Sequence, residues 1–172
     1  MRKFIGLMLL LGLFSLAAVA QENYSKAEVF GGYQYTRFDG GVNANGFNGA
    51  ITGNLNHWFG VAADFSGAYK NVSGVDTKTY TYTFGPQVAM RRGGAFTPFA
   101  HALFGGFHSS ASASGISASD SGFAFMLGGG ADVKVAPAIS VRLLQFDWLS
   151  LHANGNSDNN NMRLSTGVVF HF

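Results

Sequence analysis

The sequence predicts an all-β protein, an eight-stranded antiparallel up-and-down transmembrane β-barrel. Residues 162–172 alternate between apolar and polar side chains to the end of the chain, with Val169 the only apolar residue on the polar face. Successive side chains of a strand point to opposite faces, so this segment is a ribbon with one apolar side. Only 12% of the residues are charged, against about 25% in typical soluble domains. The rest of the chain shows further alternating segments and no amphipathic helical period.

The first twenty residues predict a secretory signal peptide and not part of the fold. Arg2 and Lys3 precede an almost unbroken apolar run over 4–16, and Ala18 and Ala20 supply small residues at a cleavage site before Gln21. A retained membrane anchor is the alternative, but the apolar run is short for a span of about 20 residues. We therefore expect one barrel domain over residues 21–172. The chain has no cysteine, which excludes disulfides, thiolate metal sites and a lipoprotein anchor.

The first four strands follow from alternation between turn-forming residues. Val29 and Tyr33 alternate with Glu28 and Gln34 in the first strand, and the same pattern recurs in the next three. Pro86 falls inside the fourth strand, where it removes a backbone donor and predicts a bulge or bend. The predicted ranges are 27–37, 46–55, 59–70 and 78–91.

The last four strands include two with an ambiguous register. In the fifth, Phe104 is assigned to the apolar face because the other register would put His101 there. In the seventh, a one-residue bulge near Leu143 and Leu144 would bring Arg142, Gln145 and Asp147 to the same polar side. The predicted ranges are 96–108, 122–135, 138–151 and 162–172.

The connections alternate between long polar segments and short turns. Long segments over 39–45, 71–76, 109–121 and 152–160 are rich in Gly, Ser, Asn and Asp, as loops are. Short turns lie near 56–58, 92–94 and 136–137. This order places both termini at the short-turn end and predicts four external loops, of which 109–121 is expected to be mobile.

Charge separates the two faces of the barrel wall. The apolar faces as assigned contain no Asp, Glu, Lys or Arg, and an Arg or Lys facing lipid at the midplane costs about 2–4 kcal/mol. An eight-stranded barrel has an interior just wide enough for side chains to fill it. The inward charges are therefore expected to pair with each other as a buried network, since an unpaired buried charge is costly. This network comprises Glu28, Asp64, Asp132, Lys134, Arg142, Asp147 and Arg163.

The chain resembles the small outer-membrane β-barrel proteins of Gram-negative bacteria, of the OmpA/OmpX-like type, over its whole mature length. Segments 63–67, 127–132, 140–148 and 167–172 carry the resemblance. It implies a location in the bacterial outer membrane among its lipids. It also implies that periplasmic chaperones carry the unfolded chain and that the barrel-assembly machinery reads a C-terminal signal formed by Val168, Phe170 and Phe172.

The predicted function is a structural or surface-interaction role through the external loops, with a side-chain-filled interior and no cofactor. A narrow channel for small solutes is the alternative. A lipid-modifying enzyme is a weaker one, resting on His108, Ser109 and Ser110 with Asp120 as a possible orienting acid. A secreted soluble barrel for an apolar ligand would need its charges on the outer face. The other histidines show no metal-ligand spacing, and no basic patch indicates nucleic acid. The external ligand is not identifiable from the sequence.

Overall fold

A computed structural model describes residues 24–72, 75–91, 94–113, 116–153 and 155–172. The described residues form eight strands joined in sequence order into one closed antiparallel barrel, with β1 paired to β8. This architecture confirms the predicted fold class. The predicted signal peptide lies outside the described residues. The strands are β1 Ala27–Arg37, β2 Asn43–Asn54, β3 Phe59–Val72, β4 Val75–Ala89, β5 Phe96–Ala113, β6 Ile116–Ala136, β7 Ile139–Ala153 and β8 Asn156–His171.

The two ends of the barrel differ in their connections. The start of β1 and the end of β8 meet at one end of the barrel, where Phe172 N donates to Ala27 O at 2.8 Å. We call this the terminal end and the opposite one the distal end. A short 3-10 turn, Asp39–Gly41, joins β1 to β2 at the distal end. Among the described residues, no helix has both the length and the hydropathy that a membrane-spanning helix requires.

The predicted sidedness of the wall is confirmed. Glu28 and Gln34 are buried inside the barrel, whereas Tyr33, which has the opposite parity on the same strand, is 53% exposed on the outside. Large apolar side chains are exposed around the outer wall on every strand. One example from each strand, in order, is Tyr33, Ile51, Phe65, Phe84, Phe104, Leu127, Phe146 and Val168.

Both ambiguous registers are confirmed as assigned. His101 is buried inside the barrel and Phe104 is exposed. The β7–β8 register shifts between Arg142 and Gln145, and both Leu143 and Leu144 are exposed at the bulge. The bulge lets two apolar residues face outward in succession, so the polar residues on either side of it remain inside.

Of the bulge or bend predicted at Pro86, the bulge is wrong, because the register is the same on both sides of this residue. Pro86 pairs with Val61 on β3, and the β4–β5 register is the same at Phe84–Phe104 and at Gln87–His101. Neighbours in β4 send their backbone groups alternately to β3 and to β5, as Ala89 N to Trp58 O and Met90 N to Pro98 O show. Pro86 therefore costs one donor on the β5 side, and the ladder continues without an extra residue.

The four long external loops are also wrong, because most of their residues continue the strands. β5 and β6 extend to Ala113 and Ile116, through the segment expected to be a mobile loop. Polar side chains bridge the extended strands, as in the hydrogen bonds of Asn71 with Asp76 (2.6 Å) and Thr79 with Ser109 (2.9 Å). Turn-forming residues predict loops only where a strand has nothing to pair with, and here each extension pairs with its hairpin partner.

The extensions carry the wall beyond a membrane. At about 3.3 Å per residue, 21-residue β6 extends over roughly 70 Å along its axis, whereas the apolar band of such barrels is about 25 Å tall. Arg37 and Lys78 have the parity of the outward face but lie near the distal ends of β1 and β4, and both are exposed. The outward face of these two strands therefore carries charge near the distal end but not over its central part.

The distal rim has unequal height. β1 pairs with β8 only up to Arg37–Met162, and β6 pairs with β7 only from Phe123–His152 onward. In contrast, β5 pairs with β6 up to Ala113–Ile116. The wall formed by β4, β5 and β6 thus rises above the β7–β8–β1 side. Within the described ranges, residues 116–121 of β6 have no strand partner on the β7 side.

Candidate functional site

Arg163 organises the middle of the barrel interior. Its side chain is fully buried, and its Nη1 and Nη2 donate to the two carboxylate oxygens of Asp64 at 2.8 and 3.1 Å. On its other side Nε donates to Asp147 Oδ2 at 2.8 Å. One guanidinium therefore bridges carboxylates from β3 and β7 across the lumen, in the forked geometry that suits arginine.

Further side chains add hydrogen bonds to the same two carboxylates. Asn48 Nδ2 donates to Asp64 Oδ2 at 2.8 Å, and Gln145 Nε2 donates to Asp147 Oδ2 at 2.8 Å. His101 Nε2 lies 2.8 Å from Asp147 Oδ1. Buried charge is tolerated when it is both paired and hydrogen-bonded, and this cluster meets both conditions.

A second cluster, formed around Arg142, lies towards the terminal end. The guanidinium donates to both oxygens of Asp132, at 2.8 and 3.0 Å, and to Gln145 Oε1 at 2.6 Å. Its carbon lies 4.3 Å from the ring centre of Phe30 and 4.1 Å from that of Phe99. The two rings and the guanidinium together occupy the lumen at this level, with cation–π attraction adding to the ion pair.

A third cluster closes the terminal end. Glu28 Oε1 accepts from Arg91 Nε at 3.1 Å and from Asn54 Nδ2 at 2.9 Å. His171 Nε2 lies 2.7 Å from Ser140 Oγ, and its Nδ1 lies 3.8 Å from Glu28 Oε1. Ser140 and Glu28 are both buried, and these residues fill the lumen at the terminal end with paired polar groups.

The structure differs from the expected network at Lys134. This side chain is exposed at the terminal end, and Arg91 instead pairs with Glu28. Lysine is a strongly hydrated point charge that stays in water, whereas the planar guanidinium can fork between Glu28 and Asn54. The other six expected residues lie inside, with each acid paired to an arginine.

Several participants were not assigned a role from the sequence. Asn48, Asn54, His101 and Gln145 complete the three clusters. Their strand parity places them on the polar face, which is the only signal that could have found them. Parity says which side of the wall a residue occupies, but not which side chain it meets across the lumen.

Two apolar clusters lie in the lumen on the distal side of Arg163. Leu103, Met126 and Leu149 are buried together above Arg163, with Met126 Sδ 3.1 Å from its Nη2. Phe107 and Leu151 form the next layer, with Phe38, Ala124 and Ala153 packed against it. Above this layer the lumen widens into a cavity of about 480 Å³. We call it the distal cup. It is lined by Phe38, Val42, Phe107, Leu151 and Ala153 and, among charged residues, by Lys70, Asp120 and Asp158.

The residues proposed for enzyme chemistry do not come together. His108 Nδ1 lies 2.8 Å from Ser121 Oγ, and both residues are exposed on the outer wall. Asp120 lines the distal cup, on the other side of the wall. It therefore does not orient His108. Within the described ranges, no group of three His, Asp or Glu side chains is placed to hold a metal ion.

The C-terminal residues lie at the seam that closes the barrel. Val168, Phe170 and Phe172 are 37%, 46% and 54% exposed on the outer wall. β8 pairs with both β7 and β1. The apolar face of the last strand is therefore exposed on the outer wall beside the seam.

Comparison with known proteins gives a consistent result. A profile described as the outer membrane protein beta-barrel domain matches residues 6–172. Among solved structures, the fold is similar to Neisserial surface protein A (TM-score 0.67, 16% identity, 88% of this chain and 98% of that one). It is also similar to Ail, the attachment invasion locus protein of Yersinia pestis (0.60, 21%, 86% and 99%), and to OprG from Pseudomonas aeruginosa (0.58, 13%, 88% and 99%). No curated protein sequence matches.

Proposed function

Because the chain belongs to the outer membrane protein beta-barrel domain family and is thus a bacterial outer-membrane protein, we propose that it is a closed scaffold presenting a protein-binding strand edge outside the cell. The observation that carries this proposal is the segment 116–121 of β6, which has no strand partner on the β7 side among the described residues. In such barrels the connections that project furthest face outside, and here the hairpins extended beyond the apolar band lie at the distal end, which we therefore assign to the outside.

The filled interior supports a scaffold over a channel. Arg163, Asp147 and Gln145 are at most 1% exposed, and the Arg142 guanidinium is packed between two rings. A solute would have to displace paired charges from a low-dielectric site, which is strongly unfavourable. A steady open pore therefore requires a rearrangement of the arginine clusters.

The backbone of β6 is oriented for strand addition. Lys134 N donates to Ala95 O on β5, and the β5–β6 register continues without a shift to the distal end. Even-numbered residues of β6 therefore bond to β5, and odd-numbered ones direct their N–H and C=O groups to the other side. Ser119 consequently directs its N–H and C=O groups to the open edge, where an extended peptide can add as a further strand. The Ser121 N–H donates to Asp120 Oδ1 at 2.9 Å, so Ser121 offers only its C=O group.

Amide exchange tests this edge directly. The probe is a synthetic peptide with the sequence of residues 106–112, which pairs with β6 on its other side. In lipid nanodiscs, we expect the peptide to slow hydrogen exchange at the Ser119 amide and to leave the Leu149 amide unchanged. Ser119→Pro removes one edge donor and should abolish the protection, whereas Ser119→Ala should retain it. Binding that is unaffected by Ser119→Pro would contradict the proposal.

Planar-bilayer recording separates the scaffold from the narrow channel. We expect no steady conductance above that of protein-free bilayers. A sustained open state in the wild-type barrel would favour the channel.

A further inference from the structure

The distal cup combines an apolar floor with access to water. Phe107 and Leu151 form its floor, and Phe38 and Val42 contribute to its wall. A volume of about 480 Å³ lies within the range of small-molecule pockets, roughly 300–1,000 Å³. Apolar surface facing water is unfavourable by about 25 cal/mol per Å². Binding of a ligand whose apolar group displaces this water is therefore favourable.

The cup is lined by more acidic than basic side chains. Asp120 and Asp158 contribute carboxylates, against one ammonium from Lys70. Oδ1 of Asp158 is shielded from solvent and has no hydrogen-bond partner among the described residues. An ionised carboxylate is an acceptor only, and leaving a buried acceptor unsatisfied is costly. A ligand ammonium that reaches this oxygen after a rotation of the Asp158 side chain would remove this cost.

We propose that the distal cup binds small amphipathic amines, with the apolar part against Phe107 and Leu151 and the ammonium donating to Asp158. The apolar floor selects for an aliphatic or aromatic body, and the excess of carboxylates selects for positive charge over negative charge. This site is separate from the strand edge of β6, because its lining faces the lumen.

Three probes of matched size test the charge preference. These are 2-phenylethylamine, 2-phenylethanol and phenylacetate, titrated into the isotopically methyl-labelled barrel in lipid nanodiscs. We expect the amine to shift the methyl resonances of Val42 and Leu151 while those of outward-facing Val61 and Val88 stay constant. The amine should bind about tenfold tighter than the alcohol, because hydrogen bonds to charged groups are the stronger ones. Phenylacetate should bind weakest.

Two substitutions locate the site. Ala153→Phe places a ring in the cup and should abolish binding of all three probes, whereas Asn43→Phe adds a ring to the exposed outer wall at the same end and should not. Asp158→Asn should keep binding of the alcohol and remove the preference for the amine, and it remains informative if Ala153→Phe fails to fold. Equal binding of amine and alcohol, tighter binding of phenylacetate, or shifts at Val61 and Val88 alone would overturn the proposal.

Discussion

The two halves of the barrel differ in the polarity of their lumen and of their outer wall. Towards the terminal end the lumen contains paired charges such as Arg142 and Asp132, while the outer wall is apolar. Towards the distal end the lumen contains Phe107 and Leu151, while the outer wall carries exposed residues such as Lys78 and His108. One continuous sheet is thus organised for lipid over one part of its length and for water over the other.

The difference shows that the surroundings of the wall, and not the barrel itself, decide which side chains belong inside. Where hydrocarbon covers the outside, polar groups can only satisfy each other in the lumen. Where water covers the outside, apolar side chains such as Phe107 and Leu151 also pack in the lumen. Substitutions that exchange one environment for the other should therefore have very different effects in the two halves.

The largest effect is expected from Arg163→Leu. It leaves Asp64 and Asp147 buried without their cation, and removing one member of a buried ion pair costs about 3–5 kcal/mol. Urea unfolding in phospholipid vesicles measures the change. Arg37→Leu, at the exposed distal end of β1, should change stability by less than about 0.5 kcal/mol. Similar losses for the two variants would contradict the assigned role of the Arg163 cluster.

A slightly smaller effect is expected from Leu103→Ala in the apolar layer. Leu103 is 0% exposed, and truncating a buried leucine costs about 2–5 kcal/mol because a cavity remains. Leu127→Ala on the outer wall should cost less, since lipid chains can fill the space. The same unfolding assay compares them, and a larger loss at Leu127 would show that the distal lumen is not a packed core.

Charged substitutions on the outer wall locate the boundary between its lipid-facing and water-facing parts. Leu127→Arg faces lipid and should cost about 2–4 kcal/mol at the midplane, falling towards zero near the interfaces. Ser110→Arg lies on the distal extension of β5 and should be close to neutral. A substantial loss of stability for Ser110→Arg would place the membrane boundary higher on the barrel.

A smaller effect is expected from Phe99→Leu in the Arg142 cluster. It removes one of the two rings beside the guanidinium, and desolvated cation–π contacts contribute about 0.5–2 kcal/mol. Phe104→Leu, on the outer wall of the same strand, is the matched control. Both variants are then repeated in an Arg142→Met background. If Phe99→Leu no longer costs more stability than Phe104→Leu, the ring of Phe99 stabilises the barrel through the cation. A difference that persists would assign the effect to packing alone.

The smallest effect on stability is expected from removing Phe172, which lies beyond the last residue of β8. We propose that Val168, Phe170 and Phe172 act mainly during assembly. The truncated chain should refold in detergent almost as well as the full chain, but cells should contain less heat-modifiable barrel. Unchanged assembly in cells would exclude a role for Phe172 in this signal.

The sequence predicts the wall well and the contacts within it poorly. Alternation assigns Tyr33 outward and Gln34 inward, and even the bulge at Leu143–Leu144 follows from keeping Arg142 and Asp147 on one face, because a membrane penalises each exception. It does not predict that Arg163 of β8 meets Asp64 of β3, since that contact depends on strand tilt and barrel closure. The distal extensions were missed for a different reason. Beyond the membrane, Ser and Asn are compatible with both a loop and a solvated strand, so composition does not separate the two.

The uneven rim gives the molecule a direction within the plane of the membrane. A neighbour that approaches from the β7–β8–β1 side meets free backbone groups, whereas one approaching from the β4–β5 side meets a sheet whose hydrogen bonds are already made. Encounters by lateral diffusion are therefore not equivalent around the barrel axis. In a crowded bilayer, a neighbour must therefore both come close and meet the correct side of the barrel in order to bind.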